Sequence, residues 1–271
     1  MATRPRRSCL TVPASSPRML EKAATLPADE VVVDLEDGVA PEDKTDETRA
    51  RLAGAARAGA RGTVAVRING VRTPWWRDDL AAAAEAGPDV VVIPKVESAD
   101  DVAMVSGLLP PGTGIEAQIE TARGLVEVER IAAAGHGLEA LVFGPGDFGA
   151  SIGVPVLTIG EGSWDYALAR IVVAARAFGL QAVDGPYAAI RDLDGLRASA
   201  RRALAHGLDG KWVVHPDQIA PVNEVFTPSP EELERARRIL AAGEGAGLVD
   251  GEMVDKATHR LAEALVARAP R

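Results

Sequence analysis

The sequence predicts an α/β protein: a (β/α)8 TIM barrel followed by a C-terminal helical extension. Two observations support this class. The chain has 271 residues, a usual length for one α/β barrel. Before residue 216, eight short β-branched apolar runs alternate with helical patterns, and this alternation favours parallel βα units. A doubly wound open sheet is the alternative that the alternation leaves open.

The predicted strands are apolar runs bounded by turn residues. They cover residues 8–13, 31–35, 63–68, 90–96, 115–121, 140–144, 181–184 and 211–215. The segments between them carry helix signals. "SPRMLEKAATL" places Ser before Pro at a first turn, and "PEDKTDETRARLAGAARA" is acidic early and basic late, as the helix dipole favours.

The barrel is predicted to be complete by about residue 226. The following "TPSP" and the glycines at 243, 245 and 247 interrupt regular structure. The sequence therefore predicts a catalytic barrel over residues 1–226 and a helical extension over residues 227–271. The extension could serve as a flap, a dimer clasp or a lid.

Composition excludes several classes of protein. A net charge of −9 and 4% aromatic residues do not favour a nucleic-acid surface. No apolar run approaches the ~18 residues of a membrane span, and "MATRPRRSCL" lacks the apolar core of a secretory signal. We therefore expect a cytoplasmic protein without nucleic-acid or membrane partners. The single cysteine, Cys9, excludes an internal disulfide.

Ionisable residues collect where the predicted strands end. In a barrel, the carboxyl ends of all strands surround one mouth, where active sites lie. The residues at or just after the ends of strands two to eight are Asp34, Glu36, Asp37, Arg67, Lys95, Glu97, Glu120, Asp147, Asp184 and His215. Seven strands thus deliver ionisable groups to one mouth, and this pattern predicts an active site there.

Two of these acids suggest a metal site. Glu120 and Asp147 follow neighbouring strands and should meet across the mouth. Two carboxylates without a nearby His or Cys suit Mg²⁺. The other interpretation is a carboxylate pair neutralised by Lys95 or Arg67. The glycines around Pro145, Gly146 among them, could also present backbone N–H groups to a substrate carboxylate.

Three cations have two interpretations each. A lone arginine at a strand end, such as Arg67, is usually an ion-pair partner. Beside a metal and two acids, however, its planar fork could hold a developing oxyanion. Arg18 and Lys22 are spaced i, i+4 on the first predicted helix. They form either a solvated face or a clamp for phosphate at the barrel rim.

Eight segments, read in chain order, carry a resemblance to a known family. They are "RSCLTVPASSPRMLEKA", "VVVDLEDGVAPEDK", "VAVRING", "IPKVES", "IETARGL", "VFGPGDFGASIG", "DGPY" and "KWVVHPDQI". Together they resemble the HpcH/HpaI aldolase and citrate lyase β-subunit superfamily, and within it the malyl-CoA and citramalyl-CoA lyases. The similarity runs over nearly the whole chain.

The resemblance implies roles for particular residues at the mouth. Mg²⁺ would be held by Glu120 and Asp147, while Glu36 and Asp37 would bind metal-bound waters. Arg67 matches the arginine that holds the acceptor carbonyl and the enolate region of the thioester.

The resemblance also implies roles outside the acid cluster. Arg18 and Lys22 match basic positions near the coenzyme A phosphates, and the turn containing Gly146 matches the carboxylate-binding turn. The chain would form homotrimers or homohexamers. Asp255, in "DGEMVD", matches an acid that a lid carries into a neighbour's active site; it is also a good N-cap for the helix predicted after it.

The implied activity is reversible cleavage of a β-hydroxyacyl-CoA, such as malyl-CoA or citramalyl-CoA. The products would be acetyl-CoA or propionyl-CoA and a 2-oxo acid, glyoxylate or pyruvate. Two enzymatic alternatives remain: a citrate lyase β subunit acting on a citryl group of an acyl carrier protein, and a malyl-CoA thioesterase. A non-catalytic subunit is the alternative from another class, and the joint presence of the implied site residues speaks against it.

Overall fold

The computed structural model of the chain describes residues 4–57, 62–155, 157, 159 and 162–269. Eight parallel strands form a closed barrel in which neighbours follow chain order and the last strand pairs with the first. They are β1 (Ser8–Pro13), β2 (Glu30–Asp34), β3 (Thr63–Arg67), β4 (Val90–Ile93), β5 (Gly114–Ile119), β6 (Leu138–Phe143), β7 (Gln181–Asp184) and β8 (Gly210–Val213). The predicted barrel is confirmed, and the open-sheet alternative is wrong.

Helices follow the strands along the chain. They are α1 (Pro17–Ala23), α2 (Asp46–Ala50), α3 (Leu52–Arg57), α4 (Trp76–Ala86), α5 (Ala99–Ser106), α6 (Ala122–Val126), α7 (Val128–Ala132), α8 (Pro145–Ile152), α9 (Asp165–Ala177), α10 (Leu193–His206) and α11 (Ile219–Phe226). Short 3₁₀ helices cover Pro41–Asp43 and Pro216–Gln218. Side-chain caps begin several helices; Ser98, for example, forms a capping box at the start of α5.

The barrel is filled by small and β-branched side chains. One buried cluster comprises Cys9, Val32, Ala65, Val90, Val92, Val142, Val183 and Trp212. Small residues such as Cys9 and Ala65 leave room for the indole of Trp212, which is 2% exposed. Because the interior is packed, ligands can be recognised only at the ends of the barrel.

Several strands end earlier than the sequence pattern predicted. β4 ends at Ile93 and not at residue 96, and β8 ends at Val213 and not at residue 215. Pro94 has no N–H for the strand ladder, and Lys95 has a left-handed backbone with φ of 52°. The polar residues predicted to stand on strand ends therefore lie partly in the loops that follow.

The chain divides into two compact units, Met1–Asn223 and Glu224–Arg271. The second contains α12 (Pro230–Ala241), α13 (Lys256–Ala267) and an antiparallel hairpin of β9 (Gly247–Val249) and β10 (Glu252–Val254). The hairpin was not predicted, because its strands are only three residues long. Its turn residues, Asp250 and Gly251, both have positive φ, as an Asp-Gly hairpin turn requires.

Among the described residues, no helix combines the length and apolar character needed to cross a membrane.

Candidate active site and metal site

Three carboxylates converge at the carboxyl end of the barrel. Glu36 follows β2, Glu120 follows β5, and Asp147 lies in α8; one oxygen of each lies within 4.8 Å of the others. Glu36 and Glu120 are buried, whereas the Asp147 side chain is 37% exposed. The structure thus brings together the two acids predicted to meet and adds Glu36 to them.

Asp147 is positioned by the start of a helix and not by an open glycine turn. Gly144 is the N-cap of α8 and Pro145 its first residue, so Asp147 falls in the first turn, where the helix dipole favours a carboxylate. A side chain at residue 144 has no room, since a Cβ there would lie 2.2 Å from Glu120 Oε2. The Gly-Pro-Gly-Asp stretch therefore brings two acids together.

Arg67, at the end of β3, is held by Asp34. Its Nε and Nη2 donate to the two carboxylate oxygens, each at 2.7 Å, and its Nη1 lies 3.1 Å from Glu36 Oε2. Asp34 also accepts the backbone N–H groups of Glu36 and Gly38. This bidentate pair fixes the orientation of the guanidinium. Sequence reasoning had placed Asp34 at the mouth without giving it this role.

Lys95 interacts with four of the acids at the mouth. Its Nζ lies 3.0 Å from Asp147 Oδ2 and 3.4 Å from Asp37 Oδ2, and it contacts Glu36 Oε1. Its backbone N–H donates to Glu120 Oε1 at 2.8 Å. The pairing of these acids with Lys95, which the sequence left as the other interpretation, is thus present in the structure. The stretch "VVIPKVES" predicts that Lys95 lies at the mouth, but it does not reveal the left-handed backbone, with φ of 52°, on which this central position depends.

The electrostatics of this site reflect an excess of buried acids. Burial raises the pKa of Glu120 to about 8, and the negative charge of Glu36 adds to the shift. Burial likewise raises the pKa of Glu36, although Arg67 opposes it. Burial also acts to raise the pKa of Asp34, but the ion pair with Arg67 outweighs it, so this pKa is lowered. Such a cluster favours binding of a cation.

A cavity of about 410 Å³ lies beside β1 and α1. Arg18 and Lys22 both line it, and His215 contributes to the wall. Thr11 also lines this cavity, and its Oγ1 is buried without a hydrogen-bond partner. The two cations predicted as a pair thus face a common cavity, which the i, i+4 spacing alone could not establish.

Two residues predicted at the mouth use their polar atoms in contacts outside the acid cluster. Asp184 Oδ2 accepts from Lys211 Nζ at 2.5 Å, in a buried ion pair between β7 and β8. His215 Nδ1 accepts the backbone N–H of Asp217 at 3.2 Å and begins a 3₁₀ helix. Asp184 was predicted at the mouth because it ends a strand, and its pairing with Lys211 on the neighbouring strand was not predicted.

Asp255 lies in the second unit, as the N-cap of α13. Its carboxylate accepts the backbone N–H groups of Ala257 and Thr258 at 2.9 and 3.0 Å. The hydrogen bond from the Thr258 backbone is the main cause of its lowered pKa. The capping interpretation of Asp255 is therefore what the structure shows within one chain.

The closed barrel, the converging acids and the fixed guanidinium at the carboxyl ends of the strands define a (β/α)8 enzyme. The chain belongs to the HpcH/HpaI aldolase/citrate lyase family, whose sequence model matches residues 7–216. A second model, for C–C bond lyases of the TIM-barrel fold, matches residues 164–270. The predicted family is confirmed, and the protein is a carbon–carbon lyase.

The relatives include proteins with two different named activities and one with a solved structure. An L-malyl-CoA/beta-methylmalyl-CoA lyase of Cereibacter sphaeroides is 40% identical over 98% of this chain and 95% of its own. A (3S)-malyl-CoA thioesterase of the same species is 41% identical, over 93% and 90% respectively. The CitE protein of Mycobacterium tuberculosis, in complex with magnesium, acetoacetate and coenzyme A, superposes with a TM-score of 0.84 at 36% identity, covering 99% and 98%.

Proposed function

We propose that this protein is a Mg²⁺-dependent lyase that cleaves or forms a β-hydroxyacyl-CoA such as malyl-CoA or citramalyl-CoA. The products of cleavage are acetyl-CoA or propionyl-CoA and a 2-oxo acid, glyoxylate or pyruvate. The observation that carries the proposal is the convergence of Glu36, Glu120 and Asp147 beside a fixed Arg67. It occurs in a chain 40% identical to an L-malyl-CoA/beta-methylmalyl-CoA lyase.

The donor set fits Mg²⁺. The cluster offers three carboxylate oxygens within 4.8 Å of one another and contains no His or Cys. A Mg²⁺ ion takes one or two carboxylates and completes its octahedron with water and substrate oxygens. Glu120 and Asp147 would hold the ion, and Glu36 and Asp37 its waters. When bound, the ion would act as a Lewis acid toward the substrate oxygens.

Arg67 supplies a fixed positive charge for the reaction. In cleavage, a base takes the proton of the 3-hydroxyl, and the freed O–H electron pair forms the carbonyl of the 2-oxo acid. The C2–C3 bond breaks, and its electron pair forms a thioester enolate that an acid then protonates at C2. Negative charge thus moves from the hydroxyl oxygen to the enolate oxygen. Because Asp34 holds Arg67 bidentately, the guanidinium can stabilise this charge without reorganising.

The coenzyme A ester is assigned to the cavity beside β1. Its volume of about 410 Å³ suits part of a cofactor, and Arg18 and Lys22 offer two cations to its phosphates. The carboxylate of the 2-oxo acid is assigned to the start of α8, where the backbone N–H of Gly146 belongs to the first turn. Such N–H groups lack intrahelical acceptors and favour anions.

Product analysis tests the reaction. The protein is incubated with Mg²⁺ and a panel of malyl-CoA, citramalyl-CoA and β-methylmalyl-CoA, and the products are separated by chromatography. Equal amounts of a shorter acyl-CoA and a 2-oxo acid support the lyase. Failure to turn over any ester contradicts it. The matched control is Asp147→Asn, which removes one ligand charge but keeps the shape of the side chain.

Thioester hydrolysis is the second candidate, favoured by the 41% identity to a (3S)-malyl-CoA thioesterase. If water attacked the thioester, free coenzyme A and the intact hydroxy acid would appear in place of the cleavage products. The same product analysis therefore separates the two activities.

We further propose that the chain forms a homotrimer or homohexamer in which Asp255 acts in a neighbouring subunit. The family resemblance of "DGEMVD" and the glycines before it support a mobile lid. Asp255→Asn keeps an N-cap of equal quality but removes the acid. It should therefore lose most turnover and little Mg²⁺ affinity, and α13 should stay capped, whereas Asp255→Ala removes the cap as well.

Subunit mixing tests whether Asp255 acts in trans. Asp255→Asn and Asp147→Ala chains are mixed under conditions that exchange subunits, and mixed oligomers are verified by mass spectrometry. One chain then supplies the metal site and the other the lid acid, so part of the activity should return. Mixed oligomers without any activity would contradict the assignment.

A further inference from the structure

Lys95 places a positive charge where the proposed metal ion would compete for ligands. Its ammonium lies 3.0 Å from Asp147 and contacts Glu36, which are two of the three acids in the cluster. A divalent ion held by Asp147 and an ammonium in contact with the same carboxylate repel each other strongly at such distances. An ammonium that stays in contact with this carboxylate therefore lowers the affinity of the site for the ion.

The backbone of Lys95 is fixed while its side chain can move. Its φ of 52° lies in the left-handed region, which is unfavourable for a residue with a Cβ. Its N–H is held by Glu120 Oε1 at 2.8 Å. The side chain, by contrast, is 35% exposed and has four rotatable bonds. The ammonium can therefore leave Asp147 without disturbing the backbone contact to Glu120.

Asp37 offers the ammonium a place to go. Its Oδ2 already lies 3.4 Å from Lys95 Nζ, and its side chain is 63% exposed. It is therefore the most exposed member of the group. A shift of the ammonium toward Asp37 would keep one ion pair while freeing Asp147.

We propose that Lys95 is a built-in competing cation that holds the carboxylates together before metal binds and sets the Mg²⁺ affinity of the site. This inference rests on the metal site of the proposed function and adds to it a residue that lowers the affinity for Mg²⁺. Lys95 is thus a positioning residue. Its ammonium neutralises the acids in the metal-free enzyme and is displaced from Asp147 when Mg²⁺ enters.

Calorimetric titration with Mg²⁺ alone, without any coenzyme A ester, tests the competition. Lys95→Met removes the charge at similar length, and Lys95→Asn removes it with a residue that tolerates the left-handed backbone. Both should bind Mg²⁺ about tenfold more tightly than the unmodified enzyme. Lys95→Arg keeps the charge and should stay within about twofold of the unmodified enzyme. Arg130→Met, which removes an exposed charge paired with Glu127, should leave the affinity unchanged.

Thermal unfolding gives a second measurement, which does not depend on activity. With a chelator present, the neutral Lys95 variants should melt below the unmodified enzyme because the acids lose their counterion. With saturating Mg²⁺, the difference should shrink or reverse. A melting difference that is the same with and without Mg²⁺ would overturn the proposal.

The affinities also separate this proposal from the metal site on which it rests. If the unmodified enzyme binds Mg²⁺ and the neutral variants bind it equally or more weakly, Lys95 does not compete and only this inference fails. If the unmodified enzyme binds no Mg²⁺ at millimolar concentration, the metal site itself is wrong.

Discussion

The barrel carries a cluster of charges at each end, and the two clusters differ in their access to solvent. The amino-end cluster comprises Arg6, Glu30, Glu116 and Glu139. Arg6 Nε lies 3.2 Å from Glu30 and 2.5 Å from Glu116, and all three side chains are at most 1% exposed. The carboxyl-end cluster comprises Glu36, Lys95, Glu120 and Asp147; there, Lys95 and Asp147 are 35% and 37% exposed.

The difference shows how one fold uses similar residues for two purposes. Arg6, Glu30 and Glu116 of the amino-end cluster are at most 1% exposed, so their charges have no access to outside partners and we expect them to affect stability and not ligand binding. Charges at a half-open mouth can exchange a lysine for another cation, so the carboxyl-end cluster can bind ligands. This division agrees with the general rule that barrel activity resides at the carboxyl ends of the strands.

The largest predicted effect comes from breaking the carboxyl-end cluster. Asp147→Asn and Glu120→Gln each remove one ligand charge, so kcat/KM should fall by about 10²–10³ or more. Stability should hold or rise, because the cluster has an excess of acids. Steady-state kinetics and urea unfolding at one pH measure the two effects. Near-normal activity of Asp147→Asn in the presence of a chelator would contradict the metal assignment.

Breaking the amino-end cluster should lower stability and leave activity nearly unchanged, which is the opposite of the effect at the carboxyl end. Arg6→Met leaves two fully buried carboxylates without their cation and should cost about 3–5 kcal/mol in the free energy of unfolding. The kcat of the folded fraction should be nearly unchanged. The control is Arg4→Met at the same end: Arg4 is 30% exposed, and its loss should cost at most about 1 kcal/mol. Equal losses for both variants would remove the distinction between buried and exposed pairs.

The fold could be predicted from the sequence because its signals are local and repeated. Strand and helix patterns alternate eight times, and the order of strands then predicts that Glu120 and Asp147 meet. The central position of Lys95 could not be predicted in this way, since it depends on a left-handed backbone that "IPKVES" does not reveal. The buried pair of Asp184 and Lys211 was also missed, because it depends on the register between two strands.

An intermediate effect is expected at the rim of the carboxyl end. Replacing both Arg18 and Lys22 by Met removes two charges from the cavity beside β1 and should raise the KM for the coenzyme A ester about tenfold. kcat should change less, because these groups would bind a part of the substrate that does not react. The KM of the double variant should also depend less on salt. An unchanged KM at several salt concentrations would place the phosphates elsewhere.

The smallest predicted effect concerns pH and the amino-end cluster. Glu30 Oε1 and Glu116 Oε2 are buried without hydrogen-bond partners. Burial raises the pKa of Glu30 well above its usual range, and the charge of Glu116 adds to the shift. The protonated form of Glu30 is therefore favoured in the folded state. The resulting stability is fully present below the ordinary glutamate pKa of about 4.3 and is lost as the pH rises through the folded-state pKa.

Glu116→Gln removes the like charge beside Glu30 and should therefore reduce this loss at higher pH. The difference in unfolding free energy between the variant and the unmodified protein should therefore grow in favour of the variant by about 1 kcal/mol as the pH rises from 5 to 8. Urea unfolding across this range measures the difference. Glu139→Gln is the matched control, since Glu139 binds the same arginine but is 21% exposed, and its profile should run parallel to that of the unmodified protein. If the Glu116→Gln profile is also parallel, Glu30 and Glu116 do not interact as charges, and the amino-end cluster holds its acids independently.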